Sequence, residues 1–440
     1  MILLPKAILC AAALLTVLFT DLVADPMTIP FSGPVQSLDT SSDLAGNIFV
    51  IGEVGTGSST IIEVHIYLTN QTWLSFTLSP LTSHLPSIIS DYGGNAMAAW
   101  QQENGTYLDI YASHYNGSVW STGKKISSSQ MENSTPPMLK FFSNSEILAL
   151  WKVNNTSSSD CFLESNIFSG LNWKGSSRTT NLGGEIASFD AGTDQYGNIL
   201  TCFDLNPGSA IYAIAYNRTT NLWGIPDAYT SEVPDDTTHI RVGDLNRLGF
   251  AAWRSYIDNQ YFLGYCIYSS PYIVNHYLAT AVDRFSSGTN FEIQVASTSK
   301  GTGVILWQRE ESGVSNVYGT SITLSSNTIS ETSLLSTSAL GQLSINLAQN
   351  AAGEVIGTWR QLGTFETLQQ VMYDPKDGFL TIENIYSTSN SIKNIRTSLN
   401  DNGDFSIAWT ENNIPYLFKG LAPFPRLQKK NAKLKKQNNS

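Results

Sequence analysis

The sequence predicts an all-β chain folded as a single β-propeller: eight four-stranded blades, with seven as the alternative count, closed by an N-terminal strand. Three observations carry this. First, the aromatic residues Trp100, Trp151, Phe203, Trp253, Trp307, Trp359 and Trp409 fall successively 51, 52, 50, 54, 52 and 50 residues apart, and Gly52 adds an eighth position 48 residues before Trp100. Second, a turn sits six residues before each of these positions, at Gly46, Gly94, Ser145, Gly197, Arg247, Gly301, Gly353 and Gly403. Glycine tolerates the positive φ that a tight hairpin demands, and Asn144 and Asn246 stand beside the two exceptions to supply the same conformation. Third, charged residues are only 14% of the chain against 11% aromatics, which fits an extracellular all-β protein better than a helical cytosolic enzyme.

A period near 50 residues decides the architecture before any detail does. Within the second repeat, Pro86 to Ser90, Asn95 to Gln102, Leu108 to Tyr115 and Val119 to Ile126 read as four strands, rich in β-branched and aromatic residues and separated by Gly, Asn and Ser. Four strands in each of eight units describe a propeller, whose blades cover one another's faces. A linear solenoid would need polar caps at both ends, and the repeats here show none. The last unit, Ile395 to Gly420, runs out before a fourth strand. The unassigned segment Met27 to Gly33 is expected to supply it and so leave no free edge. The recurring aromatic is assigned to the wedge between blades.

The Asp-x-x-Gly-Asn turn followed by an apolar strand, as in Asp43 to Asn47 and Asp91 to Asn95, resembles the repeats of secreted bacterial β-propellers of the SBBP and NHL types. The resemblance covers roughly residues 27 to 424 and implies a fold, not an activity. The Asp-box of sialidases is similar at Ser42-Asp43 and Ser90-Asp91, but there the tryptophan follows the glycine by three residues, and here by six.

Residues 1–24 carry Lys6, the apolar run Ala7 to Phe19 and a small residue at Ala24, the pattern of a secretory leader; residues 25–424 would then form one domain, outside the cytoplasm in the periplasm, on the surface or in the medium. The formal charge is -11, yet residues 425–440 contribute Arg426, Lys429, Lys430, Lys433, Lys435 and Lys436 and no acid, leaving 19 basic residues against 36 acidic ones, or -17, elsewhere. So acidic a body repels nucleic acid. The tail is expected to be disordered, with contact to an anionic surface as its functional reading.

Cys161, Cys202 and Cys266 remain after the leader, an odd number without metal spacing, and read as buried thiols. The five histidines show no zinc motif, and no elbow, P-loop or dinucleotide fingerprint occurs, so no cofactor or metal is expected. What remains is positional. Gln102, Glu103, Lys152, Asp204, Arg254, Arg309, Glu310, Arg360 and Glu411 follow the anchors at the second-strand ends, where the axial mouth lies, and are the candidate binding residues. The reading that results is a monomeric, non-enzymatic binding scaffold for a protein or glycan. The alternative is a sialidase-like or other carbohydrate-active protein, in which Arg254, Arg309 and Arg360 would converge on a substrate carboxylate beside Glu103, Glu310 or Glu411.

Overall fold

In the computed structural model, eight antiparallel sheets succeed one another along the chain, the first seven each built from one repeat and the eighth from the last repeat and an N-terminal strand. The structure describes residues 25–105, 107–128, 132–133, 135–142, 146–154, 161–179, 184–193, 198–206, 211–220, 222–228, 240–243, 248–257, 260–269, 280–285, 291–298, 301–338, 344–422 and 424. The predicted turns at Ser145, Gly197 and Arg247 and the basic tail lie outside these. Blade 1 comprises Val35–Ser42, Ile48–Thr56, Ser59–Tyr67 and Trp73–Ser79, paired in that order from axis to rim. Blade 2 repeats it with Ser83–Ser90, Ala96–Asn104 and Tyr107–Tyr115, but its fourth strand is reduced to Lys124–Lys125 and a bridge between Tyr115 and Trp120. The sequence placed a full strand there. The segment instead crosses the face of Trp100 at Gly123, where an added Cβ would lie 3.0 Å from the indole.

The turn chemistry shows why these strands begin where they do. Asp43 accepts hydrogen bonds from the Asn47 backbone N–H (2.9 Å) and Asn47 Nδ2 (2.7 Å), and Gly46 takes a φ of +85°. Asp91 and Asn95 repeat the pair in blade 2. In blades 7 and 8 amide and acid change places, Asn350 bonding Glu354 and Asn400 bonding Asp404. Successive turns also hold one another, with Asn350 Nδ2 donating to Asn400 O and Asn400 Nδ2 to Asp43 O.

Each hydrophobic cluster spans two consecutive blades, so the core is a ring of wedges. Trp100 packs in the wedge between blades 1 and 2, Trp151 between 2 and 3, Phe203 between 3 and 4, and Trp307 between 5 and 6. Trp359 and Trp409 continue the series, and all seven anchors are 0–1% exposed. Each anchor fills the gap toward the preceding blade. Burying an indole removes about 150–250 Å² from water, a gross gain of roughly 4–6 kcal/mol at 25 cal/mol per Å².

The wedge between blades 8 and 1 is the exception, since its anchor position is Gly52. Met27–Thr28 closes the ring as the outermost strand of blade 8, Met27 opposite Leu417 and Thr28 opposite Tyr416. The chain then carries Phe31 onto Gly52, so that a Cβ there would meet the phenyl ring at 2.8 Å. The N-terminal segment thus supplies both the missing strand and the missing aromatic. Beside Phe31, whose ring stands 4.3 Å from that of His65, Glu63 accepts from the Ser32 N–H and Oγ, and His65 bridges Glu63 (3.4 Å) and Ser75 (2.9 Å).

Burial holds His65 below the usual histidine value, against the opposing hydrogen bond and charge of Glu63. The unfolded chain therefore takes the proton first. Stability from this site is whole above about pH 6.5 and is lost as pH falls through 6.5 toward the folded value. We expect the thermal midpoint to drop between pH 7.5 and 5.5, and the drop to shrink in His65→Gln, as read by melting curves of both proteins across that window. An equal drop in the two would refute the assignment.

Candidate functional site

The first strands line the axis, and one position in them is equivalent in every blade: the residue paired with the one just before the anchor. It is Asp39, Ser87, Met138, Asp190, Arg241, Gln294, Asn346 and Arg396 around the ring. All eight are half-buried, facing the channel. A first strand has no strand on its inner side, so its outward N–H and C=O groups need other partners. The preceding blade provides them. Asp39 accepts from the Ile88 N–H (3.0 Å), Asp190 from Val242 (2.8 Å) and Asn346 from Thr397 (2.8 Å), while the Ser87 hydroxyl donates to Pro137 O. Arg396 closes the circle 3.8 Å from Asp39, and one layer away Glu292 accepts from the Ile345 N–H (3.0 Å).

Poor solvation in this channel raises the Asp39 and Glu292 carboxyls above their ordinary values. Arg396 opposes both shifts, and Arg241 opposes that of Glu292, which sets two guanidinium groups and two carboxyls around one stretch of the axis. This ring was not singled out from the sequence. Its signal was available as a residue 13 positions before each anchor, 12 in the fifth blade, polar in every first strand but that of Met138.

The nine second-strand-end residues lie largely within or between blades. Gln102 accepts from Ser79 Oγ (2.8 Å), and Glu103 is exposed, 3.5 Å from His84. Lys152 donates to Ile186 O of blade 4 (2.8 Å), and buried Asp204 accepts from the Ser188 N–H. Glu310 is half-buried opposite Ser315, and Glu411 accepts from Tyr386, Thr388 and Asn390. The three arginines have different partners: Arg254 lies over Tyr261 and Phe291 (5.3 and 5.4 Å), Arg309 donates to Asp283 (2.7 Å) and lies over Tyr318, and Arg360 donates to Ile392 O (2.8 Å) near Glu366. Several, Lys152, Arg254, Arg309 and Arg360 among them, reach into a neighbouring blade.

A cavity of about 230 Å³ opens on the opposite, turn-bearing face between blades 2 and 3. Asp91, Asn95, His114 and Asn116 form its polar side, and Phe168 and Leu171 its apolar side. Asp91 is held by the Gly93 and Asn95 N–H groups and by Asn95 Nδ2, and Asn116 Oδ1 by Ser118 and Val119. In blades 1 and 4 the equivalent asparagines, Asn47 and Asn198, use Oδ1 to accept from the Thr69 and Arg218 N–H groups. Among the described residues Asn95 Oδ1 has no such partner, nor have Asn116 Nδ2 and the His114 ring nitrogens. Burial lowers the His114 pKa although the Asp91 charge opposes it, so the ring is neutral near pH 7. Nothing in the sequence pointed to this cavity, which depends on where two hairpin turns from different blades come to rest.

Among the described residues the cysteines Cys161, Cys202 and Cys266 are free and buried, and burial pushes the Cys266 thiol up to about 12 and Cys202 well above its usual value. They are unreactive packing groups at neutral pH.

No protein-family model and no curated protein matches the sequence. The fold is nevertheless shared. An ulvan lyase described as a new family of polysaccharide lyase superposes with a TM-score of 0.50 at 10% identity, covering 92% of this chain and 99% of its own. The NanB sialidase of Streptococcus pneumoniae gives 0.40 at 9% identity, covering 90% and 94%, and the Aleuria aurantia lectin 0.40 at 12%, covering 81% and 97%. At these identities the likeness is one of fold: the chain is an eight-bladed β-propeller.

Proposed function

We propose that this protein is an extracytoplasmic binding propeller, a rigid ring that holds a ligand without turning it over. One observation carries the proposal: most of the charged groups along the axis and at the second-strand ends, Glu103 being an exposed exception, bond to backbone and to neighbouring blades, whereas the cavity between blades 2 and 3 presents unbonded polar atoms beside apolar side chains. A carbohydrate-active enzyme is the second reading, favoured by the near end-to-end correspondence with a polysaccharide lyase fold. A glycan array together with a panel of fluorogenic glycosidase substrates separates the two. Saturable binding without product is expected, and turnover abolished by Arg309→Ala would overturn the scaffold reading.

The leader reading places the mature start near Asp25, outside the cytoplasm, and N-terminal sequencing of the exported chain tests it. For residues 426–440 we propose an electrostatic contact with anionic surfaces. Sedimentation with phosphatidylserine vesicles should fall at least tenfold between 50 mM and 500 mM salt, and equally on removal of the tail, because screening shortens to well below about 8 Å. Vesicle binding that survives both changes would refute it.

A further inference from the structure

We infer that the cavity between blades 2 and 3 is a subsite for one neutral sugar ring. The inference rests on the binding reading above and goes further by naming the ligand class and the residues that hold it.

Size sets the first limit. A space of about 230 Å³ is worth roughly eight waters at about 30 Å³ each, which matches one six-membered ring with its hydroxyls. Charge sets the second. The lining contains Asp91 but neither lysine nor arginine, and the Asp91 oxygens already accept three hydrogen bonds from their own turn. A carboxylate or phosphate entering here would face that charge with no cation beside it, so uronates, sialates and phosphorylated ligands are disfavoured.

The unbonded atoms set the third. Asn95 Oδ1 is an acceptor, Asn116 Nδ2 a donor, and the neutral His114 ring offers one of each. Neighbouring hydroxyls of a pyranose both donate and accept, and so fit such a mixed set. Asn95 and His114 are half-buried and Asn116 is exposed, so a ring seated here would take their polar atoms out of water and is favoured only if it pairs them. The remaining wall is apolar: Leu171, 74% exposed and held at a φ of +70°, and the Phe168 ring, whose centroid is 5.0 Å from that of His114. A pyranose carries an apolar C–H face opposite its hydroxyl edge, and the cavity divides along the same line.

The site is specific to this junction because of Asn95. Where the equivalent asparagine is bonded to the adjoining turn, as Asn47 is to Thr69 and Asn198 to Arg218, its acceptor is closed to a ligand. Asn95 is joined only to Asp91, across its own turn.

The test titrates the full mature chain with the methyl glycosides of glucose, galactose, mannose, fucose and N-acetylglucosamine, and with glucuronate and N-acetylneuraminate as acidic counterparts. Saturation-transfer NMR and calorimetry provide the readout. At least one neutral glycoside is expected to bind at one site with low-millimolar affinity, the acids more weakly or not at all. His114→Ala and Asn116→Ala should each weaken binding at least tenfold while the thermal midpoint falls by no more than about 3 °C for the lost turn bonds and ring contact, and His114→Gln should restore part of the binding. Neutral rings that bind equally well to these variants would overturn the assignment while leaving the binding reading intact. Tighter binding of the acids would overturn the ligand class, as would array ligands in the absence of any binding glycoside. If the array and the glycosides are both silent, the binding reading itself fails.

Discussion

A chain of residues 35–440 should melt roughly 5–10 °C below one of residues 25–440 and self-associate. The deletion removes the strand opposite Leu417 and Tyr416, the Ile29 N–H bond to Pro415 O, and the burial of Ile29, which is 4% exposed. It also leaves Glu63 without the two hydrogen bonds from Ser32. Full burial of an isoleucine is worth about 2 kcal/mol, each lost hydrogen bond about 1, and a buried carboxylate left with His65 as its partner about one or two more. The total is on the order of 5–8 kcal/mol. For about 400 residues unfolding with an entropy near 2.1 cal/mol/K each, one kcal/mol moves the midpoint by only roughly 1 °C, so the expected shift is moderate despite the large energy. Self-association follows from geometry. Without Met27–Thr28, the strand Ile414–Leu421 becomes an open edge able to pair with another chain. Calorimetry and light scattering on the two chains provide the check. An unchanged midpoint in a monodisperse deletion would mean that the clasp contributes nothing.

The fold was legible because its signals are local and repeated. A glycine or asparagine turn recurs in the sequence six residues before each anchor position, and in the five of these turns that the structure describes Gly46, Gly94, Gly301, Gly353 and Gly403 adopt φ between +77° and +85°. Closure was legible too, since a last repeat that is one strand short and an unassigned first segment fit only one another. The fourth strand of blade 2 was less legible, because Lys124–Lys125 is held by the packing of Gly123 on Trp100 and not by any β pattern of its own.

The sites were harder to read, for a physical reason. Residues just past each anchor looked like solvent-facing loop groups, yet Lys152, Asp204 and Arg254 are buried, because adjacent blades lean together and enclose the ends of their second strands. A single repeat does not contain its neighbour. The axial ring escaped notice for the same reason: the partner of Asp39 is Ile88, 49 residues away, and that of Asp190 is Val242, 52 residues away. A repeat length was known from the sequence, but not which positions one repeat presents to the next. With the pairing of the first strands in hand, the ring becomes a rule. Asp190→Leu should therefore destabilise the protein by about 1–3 kcal/mol through the orphaned Val242 N–H, whereas Asp190→Asn, which keeps an acceptor, should cost less than about 1. Denaturant titration of the two variants measures the difference, and equal effects would dismiss the bracing role.

Gly52→Trp should be among the most destabilising single changes in the protein, although it restores the residue type found at five of the six following anchors up to Trp359 and again at Trp409. The position is already filled. An added Cβ would come within 2.8 Å of two Phe31 ring atoms, and an indole requires the whole phenyl volume. Overpacking by single methylenes costs about 1–3 kcal/mol, so a full ring should cost at least about 3 and displace the N-terminal segment. Phe31→Ala alone opens a cavity in the same wedge and should cost about 2–3 kcal/mol, less than for a fully enclosed phenylalanine because the ring is only half-buried. The two changes together are expected to be far milder than their sum, the indole from blade 1 taking the space the phenyl ring has left. A coupling energy of at least about 2 kcal/mol in favour of the double variant follows, well beyond the few tenths expected for independent sites. Urea titration of the wild type, both single variants and the double variant gives that number directly. Strict additivity would mean that Phe31 does not stand in for the missing anchor. Strong coupling would establish that the eighth wedge carries its aromatic on the N-terminal segment, and that closing the ring and completing its core are one event.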